Sequence, residues 1–114
     1  MRRERGSDRG LRISHTAYPT AYLLRLRGNA LPAAGRNLAA AFDCAAGWGL
    51  PLIVDLSALD FGDEELLGHL VDARRTSGVT LVGPLSDSFR RRLETAGVTA
   101  LFTIHLDVAA ALGR

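Results

Sequence analysis

The sequence predicts an α/β fold: a mixed, mainly parallel sheet of about five strands with about four helices, in the order β-β-α-β-α-β-α-β-α. Three observations carry that expectation. Short apolar runs with β-branched members, 52–56 and 79–82, have the composition of strands covered on both faces. Segments with apolar residues at helical spacing alternate with them. Glycine and proline separate the segments. At 114 residues, 47% apolar and 23% charged, the chain suits one domain with its own core. Its apolar runs fall short of the roughly 18–20 residues of a membrane-spanning helix.

Residues 1–10 lack periodicity and are expected to be a flexible basic tail, with residues 11–114 forming a single domain. Segments 11–18 and 21–27 read as two strands joined through Pro19 and Thr20. In the second, Leu24 and Leu26 alternate with Arg25 and Arg27, the period of a strand with one wet face. Gly28 and Asn29 are expected to break it, and Pro32 suits a first helical turn. A helix is predicted over 33–48, where Leu38, Ala41, Phe42 and Ala45 form one stripe and Gly47, Gly49 and Pro51 stop it. After the strand at 52–56, the pattern over 63–77 gives the clearest helix. Asp63 suits its N-cap, and Glu64 and Glu65 lie where the helix dipole favours acids. Leu66, Leu67, Leu70 and Val71 face inward, and Arg74 and Arg75 sit at the C-terminal end. A strand at 79–82 and the Gly83-Pro84 turn follow. The next helix starts at Ser86 or Asp87 and runs to Ala96, with Leu85, Phe89, Leu93 and Ala96 inward. A last strand over 100–105 and a short helix over 107–112 complete the order. The consecutive strand-helix-strand units require right-handed crossovers, with the opening strand antiparallel at an edge.

The formal charge of +2 is uneven: residues 1–13 carry +3 and the other 101 carry −1, so the sequence pI of 9.3 belongs to the N-terminal segment. A broad basic surface for nucleic acid is not expected. All 14 basic residues are arginine, which removes any Walker-type lysine, and no glycine-rich phosphate motif is present. The single cysteine, Cys44, has no internal disulfide partner, which points to a cytoplasmic protein, and its place beside an apolar stripe predicts burial or half-burial. His15, His69 and His105 fall on three different elements, so neither a nucleophile-base pairing nor a metal-ligand spacing emerges. No catalytic residue, cofactor or metal is therefore assigned.

Two dense charged groups remain. Asp60, Asp63, Glu64 and Glu65 read as capping and dipole complementation, with a Mg2+ site or a partner-recognition surface as alternatives. Arg90, Arg91 and Arg92 read as a solvated helix face or a contact for an acidic partner. Thr76, Ser77, Ser86 and Ser88 read as caps and loops, with phosphorylation as the alternative.

The run Ile53-Val54-Asp55-Leu56-Ser57-Ala58-Leu59-Asp60-Phe61-Gly62-Asp63, followed by an apolar-striped helix, resembles the STAS domain of bacterial anti-sigma-factor antagonists, whose pattern is roughly V-V-D-L-S-x-V-x-F-[IM]-D-S-S-G-L. Leu81-Val82-Gly83-Pro84, the stretch from Phe89 to Val98 and the strand end Leu26-Arg27-Gly28 match further family segments in order. The likeness covers about residues 11–113. It implies a STAS-like fold and a non-catalytic protein that binds a partner, typically an anti-sigma factor that is also a kinase-like ATPase. In the family a serine after the motif aspartate is the switch, since its phosphorylation adds about −1.5 to −2 charge to the binding surface.

Asp63 keeps the motif aspartate, but Glu64 stands at the phosphoacceptor position, Glu65 at the next serine and Leu66 at the usual glycine. Asn29 and Leu31 replace the acids of the earlier loop motif. Glutamate accepts no phosphoryl group in a serine-kinase reaction and carries a permanent charge. The resemblance thus implies an atypical antagonist that serine phosphorylation does not switch. Either Glu64 mimics the phosphorylated state or the switch has been lost. The partner-binding surface is expected at Gly28, Asn29, Asp63, Glu64 and Glu65, with homodimerisation open. The alternative is a STAS-type module associated with a transport ATPase, or one that binds a nucleotide or lipid.

Overall fold

The computed structural model describes residues 10–113, so the expectation for the N-terminal tail falls almost wholly outside the described residues. Five strands form one sheet in the order of the chain: β1 (Leu11–Ala17), β2 (Tyr22–Ala30), β3 (Leu52–Gly62), β4 (Val79–Val82) and β5 (Thr103–His105). β1 pairs antiparallel with β2, and every other pairing is parallel. The crossovers carry α1 (Gly35–Ala46), α2 (Glu64–Thr76) and α3 (Asp87–Ala96), and α4 (Val108–Ala111) follows β5. This is the predicted element order. Short 3-10 turns at Pro32–Ala34 and Thr99–Leu101 occupy what the sequence suggested was the start of α1 and of β5. No helix among the described residues is long and apolar enough to cross a membrane.

The side chains sort by strand period. Leu24, Leu26, Val54 and Leu81 point to one face, where Leu38 and Phe42 of α1, Leu66 and Leu70 of α2, and Phe89 and Leu93 of α3 bury them. Ala21, Leu23, Ile53 and Val82 point to the other, where Val108 and Ala111 of the short last helix and Leu112 just after it cover them. The β-branched run of β3 is therefore covered on both faces, as its composition predicted.

Two strands are longer than the sequence suggested. β2 does not break at Gly28 and Asn29. Gly28 adopts φ +97°, its Cβ position is blocked by the Gly10 carbonyl oxygen, and it absorbs an irregularity in the β2–β3 register. The Asn29 N–H donates to Gly10 O at 3.1 Å, so pairing continues to Ala30. β3 runs on to Gly62 by pairing with residues 27–30 of β2, beyond a second irregularity where the Ser57 N–H and hydroxyl both donate to Asp55 Oδ1, at 3.0 and 2.7 Å. Beyond it the buried positions are Leu56, Leu59 and Gly62, spaced by three, which hides the strand from a period-two reading.

The helix ends follow their capping residues. Asp63, Ser86 and Asp107 accept the backbone N–H three residues on, at 3.0, 3.2 and 2.7 Å. Gly97 closes α3 at φ +72°. Two burial expectations fail. Ala96 is exposed, lying one turn beyond Leu93 at the end of α3. Cys44 is exposed too, because the buried stripe runs through Ala41, Phe42 and Ala45 and leaves Cys44 at its margin.

Candidate functional site

The C-terminal ends of β2 and β3 and the start of α2 meet at one end of the sheet. Asn29 pairs with Phe61 and Ala30 with Gly62, and the Asp63 N–H donates to Ala30 O at 3.1 Å. The register thus brings Gly28 and Asn29 to the same end as Asp63, Glu64 and Glu65, residues separated by more than thirty positions in the chain. Leu31, between these segments, is exposed.

The three acids have different surroundings. Asp63 is the N-cap of α2, its Oδ1 accepting from Leu66 N at 3.0 Å, so it fixes where the helix begins. Glu65 reaches back to the first turn of α1: a Cβ on the buried Gly35 would lie 2.6 Å from its Oε2. A carboxylate there meets the positive end of α1. Glu64 projects into solvent, its side chain 84% exposed, with Arg92 Nη1 of α3 at 3.4 Å from its Oε2. Its single charge is therefore offered outward, one residue into a helix whose free N–H groups favour anions.

Arg92 belongs to the site although the sequence singled it out only within a charged run. Its guanidinium carbon lies 5.6 Å from the centroid of the Phe61 ring, and its side chain is only 28% exposed. Its Nε is buried without a hydrogen-bond partner. A Phe three residues before Glu64 and an Arg on the helix facing it were the available signal for this cation-π contact. Glu64, Leu67, Ser88, Arg91 and Arg92 line a groove of about 310 Å3 between α2 and α3. Within the triple arginine run, Arg90 pairs with Asp87 of its own helix, Arg92 folds back on Phe61, and Arg91 lines the groove. Asp60, an exposed residue of β3, stands outside the helix start. Among the described residues no three His, Cys, Asp or Glu side chains are placed to share a metal ion.

The histidines stay apart. His15 Nδ1 lies 2.7 Å from the Tyr22 hydroxyl, which also lies 3.8 Å from Cys44 Sγ. Burial pushes the Tyr22 hydroxyl above its ordinary pKa, and the hydrogen bond and charge of Cys44 push it the same way. His69 stacks on Phe42 at 5.2 Å, and His105 sits on β5. Of the hydroxyl residues, Ser86 caps α3, Thr76 donates to Ala73 O, and Ser88 lines the groove.

No family model matches the chain, and no curated protein matches it in sequence. Solved structures match it in fold. An anti-sigma factor antagonist from Mycobacterium paratuberculosis superposes with a TM-score of 0.78 at 18% identity, covering 90% of this chain and 92% of its own. The anti-sigma factor antagonist SpoIIAA in its unphosphorylated form gives 0.72 at 17% identity, over 89% and 92%. The Bacillus cell fate determinant SpoIIAA in its phosphorylated form gives 0.68 at 18%, over 91% and 97%. The chain therefore has the STAS-type fold of anti-sigma factor antagonists over nearly its whole described length.

Proposed function

We propose that the chain is a non-catalytic STAS-type regulatory protein of the cytoplasm that binds an anti-sigma factor of the kinase-like ATPase type, and that serine phosphorylation does not switch it. One observation carries the reading: at the start of α2, where the family resemblance places the phosphoacceptor serine, stands the outward-facing carboxylate of Glu64. The nearness of Gly28 and Asn29 to that helix start supports a single partner surface with Asp63, Glu64 and Glu65. Asp63 and Glu65 shape it through the cap and through α1, while Glu64 meets the partner. A fixed charge at that point holds the surface in one binding mode.

The test uses purified protein, ATP and a kinase-like anti-sigma factor from the same genome. The wild-type chain takes up no phosphate at residues 63–66, whereas Glu64→Ser restores an acceptor hydroxyl. Calorimetry against the same partner gives an affinity for Glu64→Ala that differs from wild type while the fold is unchanged, since Glu64 is exposed. Phosphate on any serine or threonine of the wild-type chain that changes its affinity for the partner contradicts the lost switch. Equal affinity for wild type, Glu64→Ser and Glu64→Ala removes Glu64 from the interface.

A further inference from the structure

The opposite end of the sheet holds a cavity that the partner surface does not use. α1 and α2 cross between parallel strands in the same sense, so both C-terminal ends arrive beside the start of β3. Between them lies a cavity of about 360 Å3, within the range of roughly 300–1,000 Å3 typical of small-molecule sites. Phe42, Ala45 and Leu52 line it as buried apolar residues. His69 lines it as well, its ring stacked on Phe42 with 9° between the planes. His69 Nε2 is buried and has no hydrogen-bond partner, a state that buried polar atoms seldom keep.

The charge around the cavity has one sign. Asp43 of α1 and Asp72 of α2 line it and are exposed at its rim. The last turns of both helices, ending at Ala46 and Thr76, lie in its wall, and helix C-termini carry partial negative charge. No arginine among the described residues lines it, and Arg74 of α2 is held elsewhere by the Leu101 carbonyl at 2.6 Å. We propose that this cavity binds a small organic cation: an amine whose apolar body lies against Phe42, Ala45 and Leu52 and whose ammonium group sits between Asp43 and Asp72. Phosphate-bearing nucleotides and fatty-acid carboxylates meet the wrong sign of charge here. His69, stacked on Phe42, adds a second ring to the apolar wall against which the body of the amine lies.

The probe is phenethylamine, with 3-phenylpropanoate as its anionic match in size, titrated to millimolar concentration into the full chain and followed by backbone amide resonances. The amine gives saturable shifts confined to residues 42–52 and 69–77, and the carboxylate gives none. Asp43→Asn combined with Asp72→Asn weakens the amine by about tenfold, the sum expected from two exposed charge contacts. Both substitutions are on exposed residues, and an unchanged circular-dichroism spectrum confirms that the double variant folds. No saturable shift with the amine, equal binding of the carboxylate, or an unaltered amine affinity in the double variant each overturns the proposal. The site is remote from Glu64, so failure here leaves the partner surface standing.

Discussion

Gly62 is the point on which two helices rest. A Cβ there would lie 2.7 Å from Phe89 Cδ1 and 2.9 Å from Leu66 Cδ2, side chains that are themselves almost wholly buried. Gly62→Ala is expected to cost about 1–3 kcal/mol, the range for overpacking a filled core, as measured by urea denaturation. Asp63→Ala removes the side-chain N-cap of α2 and is expected to cost about 1 kcal/mol in the same assay. Tyr22 gives a pH dependence. The unfolded phenol ionises near its ordinary value of 10.0, whereas the folded one, raised by burial, keeps its proton to higher pH. Above that value the unfolded state binds fewer protons, so stability falls as pH rises through the folded value and is fully present below the unfolded one. Tyr22→Phe removes this component, and denaturation midpoints on both sides of pH 10 are expected to fall less steeply in the variant; equal slopes refute the assignment.

Among the elements, α4 has a role out of proportion to its four residues, because it covers the second face of the sheet. Truncation after Leu106 uncovers part of Leu23, Ile53 and Val82. It is expected to lower stability by about 2 kcal/mol, near the value of exposing one large aliphatic side chain, with dye binding to the new apolar surface. The elements legible in the sequence were those whose pattern repeats without interruption: the stripe Leu66-Leu67-Leu70 between Asp63 and Ser77, the run Val79–Val82, and α3 between Ser86 and Gly97. What escaped was set by partners distant in sequence. The extension of β2 through Gly28 depends on the Gly10 carbonyl, and that of β3 on its pairing with residues 27–30 of β2 beyond the register irregularity. The candidate site divides in the same way. Glu64 could be named from its place after Asp63, but that Arg92 lies across from it on Phe61 depends on how α2 and α3 dock, which no local pattern encodes.

At the scale of the whole molecule, strand order in the sheet equals strand order in the chain, β1-β2-β3-β4-β5. Each pairing closes a loop no longer than one turn or one helical crossover, the kind of local contact that speeds folding. Substitutions in the β2–β3 pair, such as Leu24→Ala, are expected to slow refolding in stopped-flow measurements, while Leu93→Ala in α3 mainly speeds unfolding; the reverse pattern would place the nucleus at the other end. Because every strand after the first meets a neighbour already made, the sheet can be laid down edge first as the ribosome delivers it. Each new strand finds its template already in place.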